Sequence, residues 1–450
     1  MEKIEKKFHS IFKWNTIGSL FFEAMHITYQ FALLKILGSS RYGLMGSIFS
    51  ILYLTIYLSD MGLMTSLPTF ANVFTQSKSN FRKYFKRYVT PNILFLTIGI
   101  IISMAFYSSF WKANSTLLPP LFLVISLLIF EAIRMFLRFF LHTQFKNKAV
   151  VVLELSLMIL YVASVLLPYY VSNIPITITK VIGLYLFNSV LSVACFIFIT
   201  IRLYKKLPQK ELVPYEHFKR KSTHARFFNH ATHIGKHLIS GEFLVPLFAI
   251  HFGLKQAGLL KLASIVAHST KAFFKAAINF SGNAFLSNLK NKPLESRISA
   301  FYTLFKKLNK IIFFIFIILL INFHPLVSQA KTTGNRSALI YLFMFITITL
   351  IQQLCVAYEQ FYIVENAAHR LFLIKVFEFI MFYIVIGLSK HFYPNTTLLS
   401  IVCIQIIGFG LLALNAYAKW KIKLIFKIET KFILKTVLFG SLIFLLIKSL

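Results

Sequence analysis

Apolar stretches of about 20 residues follow one another along almost the whole chain, and this succession restricts the possible folds more than any other feature. Such a stretch crosses the hydrocarbon core of a bilayer as an α-helix, because a helix satisfies all its backbone hydrogen bonds internally. Composition agrees, since 57% of the 450 residues are hydrophobic and only 14% are charged. We therefore expect an all-α polytopic membrane protein.

Thirteen runs are long and apolar enough to be transmembrane helices, and we place them at residues 16–37, 44–72, 90–111, 117–143, 149–172, 177–201, 226–251, 256–284, 306–324, 337–361, 370–388, 396–418 and 432–449. The longest cytoplasmic connection divides them into two groups of six and a last one. The predicted organisation is an N-terminal six-helix lobe (1–201), a basic cytoplasmic connection (202–225), a C-terminal six-helix lobe (226–418), and a basic interfacial segment with a short extra helix (419–450).

The net charge of +34 would suggest a nucleic-acid partner in a soluble protein, but topology explains it here. If the N-terminus is cytoplasmic, the basic clusters fall in the even-numbered connections, as the positive-inside rule requires. The stretch 419–431, rich in lysine, is typical of a basic helix lying against an anionic inner leaflet. We expect the lipid bilayer, and no nucleic acid, as a partner.

Each predicted lobe opens in the same way, with a first span followed by a short connection bounded by glycines. Gly38 and Gly43 bound this connection in the first lobe, and Gly253 and Gly258 bound it in the second. A repeat with an even number of spans is parallel, about an axis along the membrane normal. We predict that the two lobes are related in this way.

Two basic stripes in the second lobe are candidate substrate-binding sites. Helical spacing places one stripe on a single face of the eighth span, within an arc of roughly 80°, and it consists of Lys261, His268, Lys271 and Lys275. The other lies on the seventh span, with its flank, and consists of Asn229, His230, His233, Lys236 and His237. Lys and His in a low-dielectric cavity favour a dianionic group such as a pyrophosphate. The alternative is that Lys261 and Lys275 extend to the two interfaces and that the histidines are helix-packing contacts.

The first lobe carries acidic residues as well. Helical spacing and a short connection predict two structural ion pairs, Glu131 with Arg134 and Arg138 with Glu154. Glu23 and Asp60 have no obvious local partner, which makes them candidates for binding a coupling ion, H⁺ or Na⁺. No spacing of Cys or His is typical of metal ligands, so we expect neither a metal site nor a cofactor.

Three segments resemble a known family. Leu37-Gly38-x3-Tyr42-Gly43, the later Asp60-Met61-Gly62-Leu63, and Glu131-x-x-Arg134-x3-Arg138 before Glu154 are similar to the O-antigen-type polysaccharide flippase branch of the multidrug/oligosaccharidyl-lipid/polysaccharide (MOP) exporter superfamily. The resemblance extends over residues 1 to about 420 and is most specific in the first 70. It implies two six-helix lobes around a cavity lined by spans one, two, seven and eight.

The resemblance also implies a function. The expected activity is flipping an isoprenoid-pyrophosphate-linked oligosaccharide from the cytoplasmic to the outer face of a bacterial inner membrane by alternating access, with glycan polymerase or assembly machinery as possible partners. A drug or metabolite antiporter of the same superfamily is one alternative, although the basic stripes argue against a cationic cargo. A membrane-embedded glycan polymerase or transferase is another, although such enzymes usually place acid and base groups in large loops, so we expect no enzymatic activity.

Overall fold

The structure of the chain is a computed structural model, and it describes residues 2–60, 77–84, 86, 90–114, 118–144, 146–209, 230, 241–274, 295, 341, 373–374, 376–377, 380 and 384. These residues are helical or lie in short connections, and none of them is in a strand. The helices are α1 (Glu2–Ser59), α2 (Lys78–Tyr84), α3 (Thr90–Asn114), α4 (Leu121–Thr143), α5 (Asn147–Ser172), α6 (Ile178–Lys205), α7 (Gly241–Phe252) and α8 (Leu254–Phe274). The predicted all-α fold is confirmed.

Helix α1 covers the first span and the described part of the second, and it is broken at Gly38. The backbone there has φ 75° and ψ 160°, a conformation open essentially to glycine alone. Gly253, between α7 and α8, also has a positive φ, 87°. The two glycines that open the predicted connections of the repeat therefore both interrupt a helical path.

The ends of the next helices follow from local chemistry. Asn173 ends α5 in the left-handed conformation; its backbone N–H donates to the carbonyl of Tyr169, and the N–H of Ile174 donates to the carbonyl of Pro168. Thr177 begins α6, and its side chain accepts a hydrogen bond of 3.2 Å from the backbone N–H of Lys180. Three described helical stretches are long and apolar enough to cross a membrane: Phe21–Ser59, which contains the break at Gly38, Lys148–Ser172 and Ile178–Lys205.

The chain divides into two units, Met1–Gly258 and Leu259–Leu450. In the first unit, α1 packs against α3, α5 and α7, and α4 packs most extensively against α6. The predicted lobes place α7 in the second half, whereas its contacts with α1 place it in the first unit. The predicted boundaries of the lobes stay a prediction.

Polarity in the first unit is distributed as a bilayer requires, with apolar side chains outside and polar ones within. On α5, Val152, Ile159 and Leu167 are 45–57% exposed, while Glu154 and Tyr161 are buried. Around one end of α4, α5 and α6 a core cluster forms from Phe81, Leu137, Phe140, Leu141, Val150, Val193 and Phe196. Phe81 joins it from α2, in a region for which the sequence predicts only a basic loop.

The described residues of the second unit are fewer. Beyond Gly258, α8 buries Leu259, Leu260, Leu262, Ala263 and Ile265. Within the predicted span 370–388, four helical residues are 49–64% exposed, namely Leu373, Phe377, Ile380 and Ile384. Their spacing of 4, 3 and 4 places them on one face of a helix, which is typical of a surface in contact with lipid. Residues of the last two predicted spans, 396–418 and 432–449, lie outside the described residues.

Candidate functional site

A buried ion pair lies within α4, at the centre of the first unit. Glu131 has no exposed side-chain surface, and its Oε1 accepts a hydrogen bond from Nη2 of Arg134, one helical turn later. Ser189 on α6 donates to the other carboxylate oxygen over 2.9 Å. Three apolar helices could not stably enclose a lone carboxylate, and the guanidinium neutralises it. The pair therefore joins α4 to α6 without a net charge.

Tyrosine hydroxyls extend this pair to α1. The hydroxyl of Tyr185 on α6 lies 2.7 Å from that of Tyr53 and 3.3 Å from Nη2 of Arg134. It also approaches Oε1 of Glu131, at 3.4 Å. The Tyr185 ring makes edge contacts with Phe49 and Tyr161. We call the group of Tyr53, Glu131, Arg134, Tyr185 and Ser189 the N-terminal polar network.

A second set of hydroxyls lies on the same helices. Tyr29 of α1 donates to the hydroxyl of Tyr161 on α5 over 2.7 Å, and both residues are buried. Tyr42 donates to Oε1 of Gln30 over 2.7 Å, which ties the two parts of α1 together across the break at Gly38. These bonds satisfy polar groups that would otherwise be buried without partners.

The other predicted ion pair connects α4 with α5. Nε of Arg138 lies 3.2 Å from Oε2 of Glu154, with the arginine side chain 40% exposed and the glutamate side chain 7% exposed. The structure therefore brings together both pairs that helical spacing and the short connection predict. Glu131 and Glu154 are each engaged with a guanidinium.

The two candidates for a coupling ion lie at different places on α1. Glu23 is half-buried, one turn before His26, whose ring stacks on Phe22 at 6.2 Å between centroids. Asp60 follows Ser59, the last residue of α1, in a turn, and its backbone N–H donates to the carbonyl of Ile56 over 3.0 Å. Its backbone carbonyl accepts a hydrogen bond of 2.9 Å from Nδ2 of Asn92. Among the described residues, no three His, Cys, Asp or Glu side chains cluster as around a metal ion.

The basic stripes are described only in part. His230 is helical and buried, with 7% of its surface exposed. Lys261 lies half-buried on α8, where His268 and Lys271 follow it along the same helix. Asn229, His233, Lys236, His237 and Lys275 lie outside the described residues. Whether the stripes line a cavity is therefore still a prediction.

The two repeated connections meet within the first unit. A Cβ on Gly43 would collide with the carbonyl oxygen of Leu254, and a Cβ on Gly258 would collide with the carbonyl oxygen of Ser39. The contact is reciprocal. Leu254 follows Gly253, which opens the second connection, and Ser39 follows Gly38, which opens the first. The repeat of the two connections in the sequence is thus accompanied by a reciprocal contact between them.

Sequence reasoning finds the charged members of the N-terminal polar network but not its hydroxyls. Tyr53, Tyr185 and Ser189 come from two helices far apart in sequence, and tyrosine is common in apolar spans. A signal exists only in the burial pattern, since Asn188 and Ser189 are buried and Ser189 contacts Glu131 on α4. Which face of α6 is buried is known only from the packing of the helices.

No family model matches the chain, and no curated protein matches it in sequence. Solved structures do match its fold. An inward-facing multidrug resistance MATE family transporter of the MOP superfamily aligns with a TM-score of 0.56 at 12% identity, over 96% of both chains. A MOP superfamily transporter from Pyrococcus furiosus, whose binding pocket is described as having a reverse polarity that suggests a different function, aligns at 0.52 and 11% identity, over 97% of this chain and 96% of that one.

A third solved structure, of the MATE transporter VcmN from Vibrio cholerae, aligns with a TM-score of 0.50 at 13% identity and covers 92% of this chain and 99% of that one. The chain thus has the fold of MATE transporters of the MOP superfamily along almost its full length. The likeness is one of fold, at identities of 11–13%.

Proposed function

We propose that this chain is a membrane transporter that flips an isoprenoid-pyrophosphate-linked oligosaccharide from the cytoplasmic to the outer face of a bacterial inner membrane. The full-length likeness of fold to MOP transporters supports transport as the activity. The cargo is inferred from the distribution of basic and acidic residues along the chain, which favours an anionic substrate over a cationic one.

The observation that carries the proposal is the basic character of the eighth span. Lys261, His268, Lys271 and Lys275 recur at spacings of 7, 3 and 4, which predict a single helical face, while no Asp or Glu occurs between residues 243 and 294. A Lys within a membrane-spanning helix is costly, and an anionic substrate would offset that cost. A pyrophosphate accepts several charge-assisted hydrogen bonds at once, so it suits such a stripe.

Two of the described carboxylates in the first unit, Glu131 and Glu154, are poorly suited to a cationic cargo. Glu131 is neutralised by Arg134 and receives a bond from Ser189, and Glu154 is neutralised by Arg138. A cation would have to displace a guanidinium from either of them, at a high desolvation cost to the arginine. This favours glycan flipping over drug extrusion.

In the proposed cycle, the stripes of the seventh and eighth spans hold the pyrophosphate, the sugars occupy the cavity, and the prenyl chain remains in lipid. A net drive requires an ion that binds one state better than the other. Glu23 and Asp60 are the proposed sites for that ion, H⁺ or Na⁺. Glycan polymerase or assembly machinery is the proposed partner, and no enzymatic step belongs to the cycle.

The second candidate function is export of a drug or metabolite. The observation in its favour is that one of the solved structures with this fold is a multidrug resistance transporter. The P. furiosus transporter, described with a pocket of reverse polarity, indicates that this fold is not tied to one kind of pocket.

The test uses the full chain in proteoliposomes loaded with a fluorescent polyprenyl-pyrophosphate oligosaccharide. A membrane-impermeant quencher reports how much labelled glycan crosses to the other leaflet. We expect movement with the native chain and at least tenfold less after Lys261→Gln, Lys271→Gln and Lys275→Gln together. Lys255→Gln, an exposed lysine at the start of α8, is the matched control and should leave the rate unchanged.

The same vesicles distinguish the second candidate. Uptake of a fluorescent cationic dye without movement of the glycan would contradict the flippase proposal and favour the antiporter. Equal losses of glycan movement in Lys255→Gln and in the triple variant would also contradict the flippase proposal. The loss would then reflect the net charge of the protein and not a binding site.

A further inference from the structure

One end of the first unit carries a cluster of cations. α2 and the last turn of α6 meet there, at the predicted cytoplasmic face, and together they supply Lys78, Arg82, Lys83, Arg202, Lys205 and Lys206. We call these six residues the basic patch.

The centre of the patch is the ring of Tyr204, which brings two of the cations together. Nε of Arg82 donates to the Tyr204 hydroxyl over 2.8 Å, and Nζ of Lys78 lies 6.0 Å from the centroid of the same ring. Lys78 and Arg82 are four residues apart on α2, so they share one face of the helix. Two like charges fixed on one face repel each other unless an anion lies between them.

The position of α2 is fixed by contacts that do not involve its charges. Phe81 is buried in the core cluster, with ring centroids 5.5 Å from Phe140 and 5.3 Å from Tyr204. The backbone N–H of Lys78 donates to the carbonyl of Pro208 over 2.9 Å. The cations are therefore held on a rigid base, and binding an anion would require little additional ordering.

The surface beside the patch points to the source of the anion. Phe198 and Ile201, on the last turns of α6, are 55% and 47% exposed, as side chains in contact with lipid are. The guanidinium of Arg202 lies 4.3 Å from the centroid of the Phe198 ring. Cations directly beside lipid-exposed apolar residues lie at the level of the headgroups, where phosphate belongs to phospholipid.

We propose that the basic patch binds the headgroup phosphate of an anionic phospholipid, with Lys78 and Arg82 as its principal contacts. The residues of this patch are not those proposed to bind the substrate, so the proposal does not depend on the cargo. Each cation near an anionic bilayer surface contributes about a fivefold gain in affinity, so two contribute about 25-fold.

The test compares thermal unfolding of the full chain in nanodiscs of phosphatidylcholine with and without phosphatidylglycerol. We expect phosphatidylglycerol to raise Tm of the native chain, and Lys78→Gln with Arg82→Gln to remove at least half of that increase. Arg41→Gln with Lys180→Gln, two exposed cations at the predicted outer face, is the matched control and should retain it. Arg82→Lys, which keeps the charge, should retain most of it.

Other outcomes would overturn the proposal. An equal loss in the control pair would show a general effect of charge, and equal Tm values in the two lipid mixtures would show that no site exists. If inorganic phosphate at millimolar concentration raises Tm in pure phosphatidylcholine as much as phosphatidylglycerol does, the ligand is a free anion and not a lipid. If the double variant does not fold, Tyr204→Phe provides a second test. This variant retains the ring and its packing against Phe81, and it should reduce the rise of Tm that phosphatidylglycerol causes.

Discussion

Gly43 and Gly258 face each other so closely that neither can carry a side chain. A Cβ built on Gly43 lies 2.8 Å from the backbone nitrogen of Gly258 and collides with the carbonyl of Leu254, while a Cβ on Gly258 collides with the carbonyl of Ser39. Because every atom in the way is backbone, no rotamer change can relieve the contact. The crossing of the two connections depends on both glycines.

We therefore expect Gly43→Ala and Gly258→Ala each to destabilise the protein by about 1–3 kcal/mol, the usual cost of overpacking. Both should lower Tm of the purified chain and reduce transport. Gly183→Ala on α6 is the control, because a Cβ there has no neighbour within 4 Å. It should be neutral or slightly stabilising, since alanine favours a helix. A similar loss in all three variants would show that the close approach is not the cause.

A different effect is expected at Gly38, where space is free but the backbone is unusual. Its φ of 75° and ψ of 160° are disfavoured for any residue with a Cβ, although nothing lies within 4 Å of one. Gly38→Ala should cost about 1–3 kcal/mol through strain alone. Thermal unfolding measures the cost, and an unchanged Tm would mean that α1 adopts another conformation at this position.

Removing the charge of Glu131 should destabilise the protein far more than the loss of its hydrogen bond to Ser189 alone would. Glu131→Gln leaves the Arg134 guanidinium enclosed by apolar helices without a counter-charge, at a cost of about 3–5 kcal/mol. Adding Arg134→Met removes the orphaned charge, so the double variant should recover most of the lost stability. A double-mutant cycle on Tm checks this, and additive losses would contradict a direct pairing.

The loss of stability should be smaller when the pair of Arg138 and Glu154 is broken. Arg138 is 40% exposed, so Glu154→Gln leaves a cation that water reaches. Comparison of the two Gln variants under the same conditions tests the role of burial. If Glu154→Gln proves the more destabilising, the ranking by exposure is wrong.

Thiol labelling tests the basic stripes. In a chain lacking Cys195, Cys355 and Cys403, single cysteines replace His233, Lys271 or Lys275. We expect water-soluble maleimide to label all three, and a lipid-pyrophosphate glycan to protect them. Resistance to the reagent from both sides would place the stripes in helix contacts and remove the main support for an anionic cargo.

Local features of this chain were predictable and contacts between distant segments were not. Glu131 with Arg134, and Arg138 with Glu154, follow from helical spacing and a connection of a few residues. The hydroxyl bond of Tyr53 with Tyr185 depends on how α1 packs against α6, which no periodicity specifies. The same holds for Gly43 and Gly258, whose repeat is visible in the sequence although their contact is not.

Phe81 shows how a short helix escapes prediction. Phe81 lies among Lys78, Arg82 and Lys83, and the charge of that segment conceals a single buried ring. A short helix held by one aromatic residue has too few apolar positions to produce a periodic signal.

The arrangement of Arg138 and Glu154 has a consequence for biogenesis. α4 brings Glu131, Arg134 and Arg138 into the membrane, and the first two neutralise each other within one turn as soon as the helix forms. Arg138 finds its counter-charge only on α5, which leaves the ribosome later. Because Arg138 is paired only once α5 is present, we expect the two helices to insert together as a hairpin.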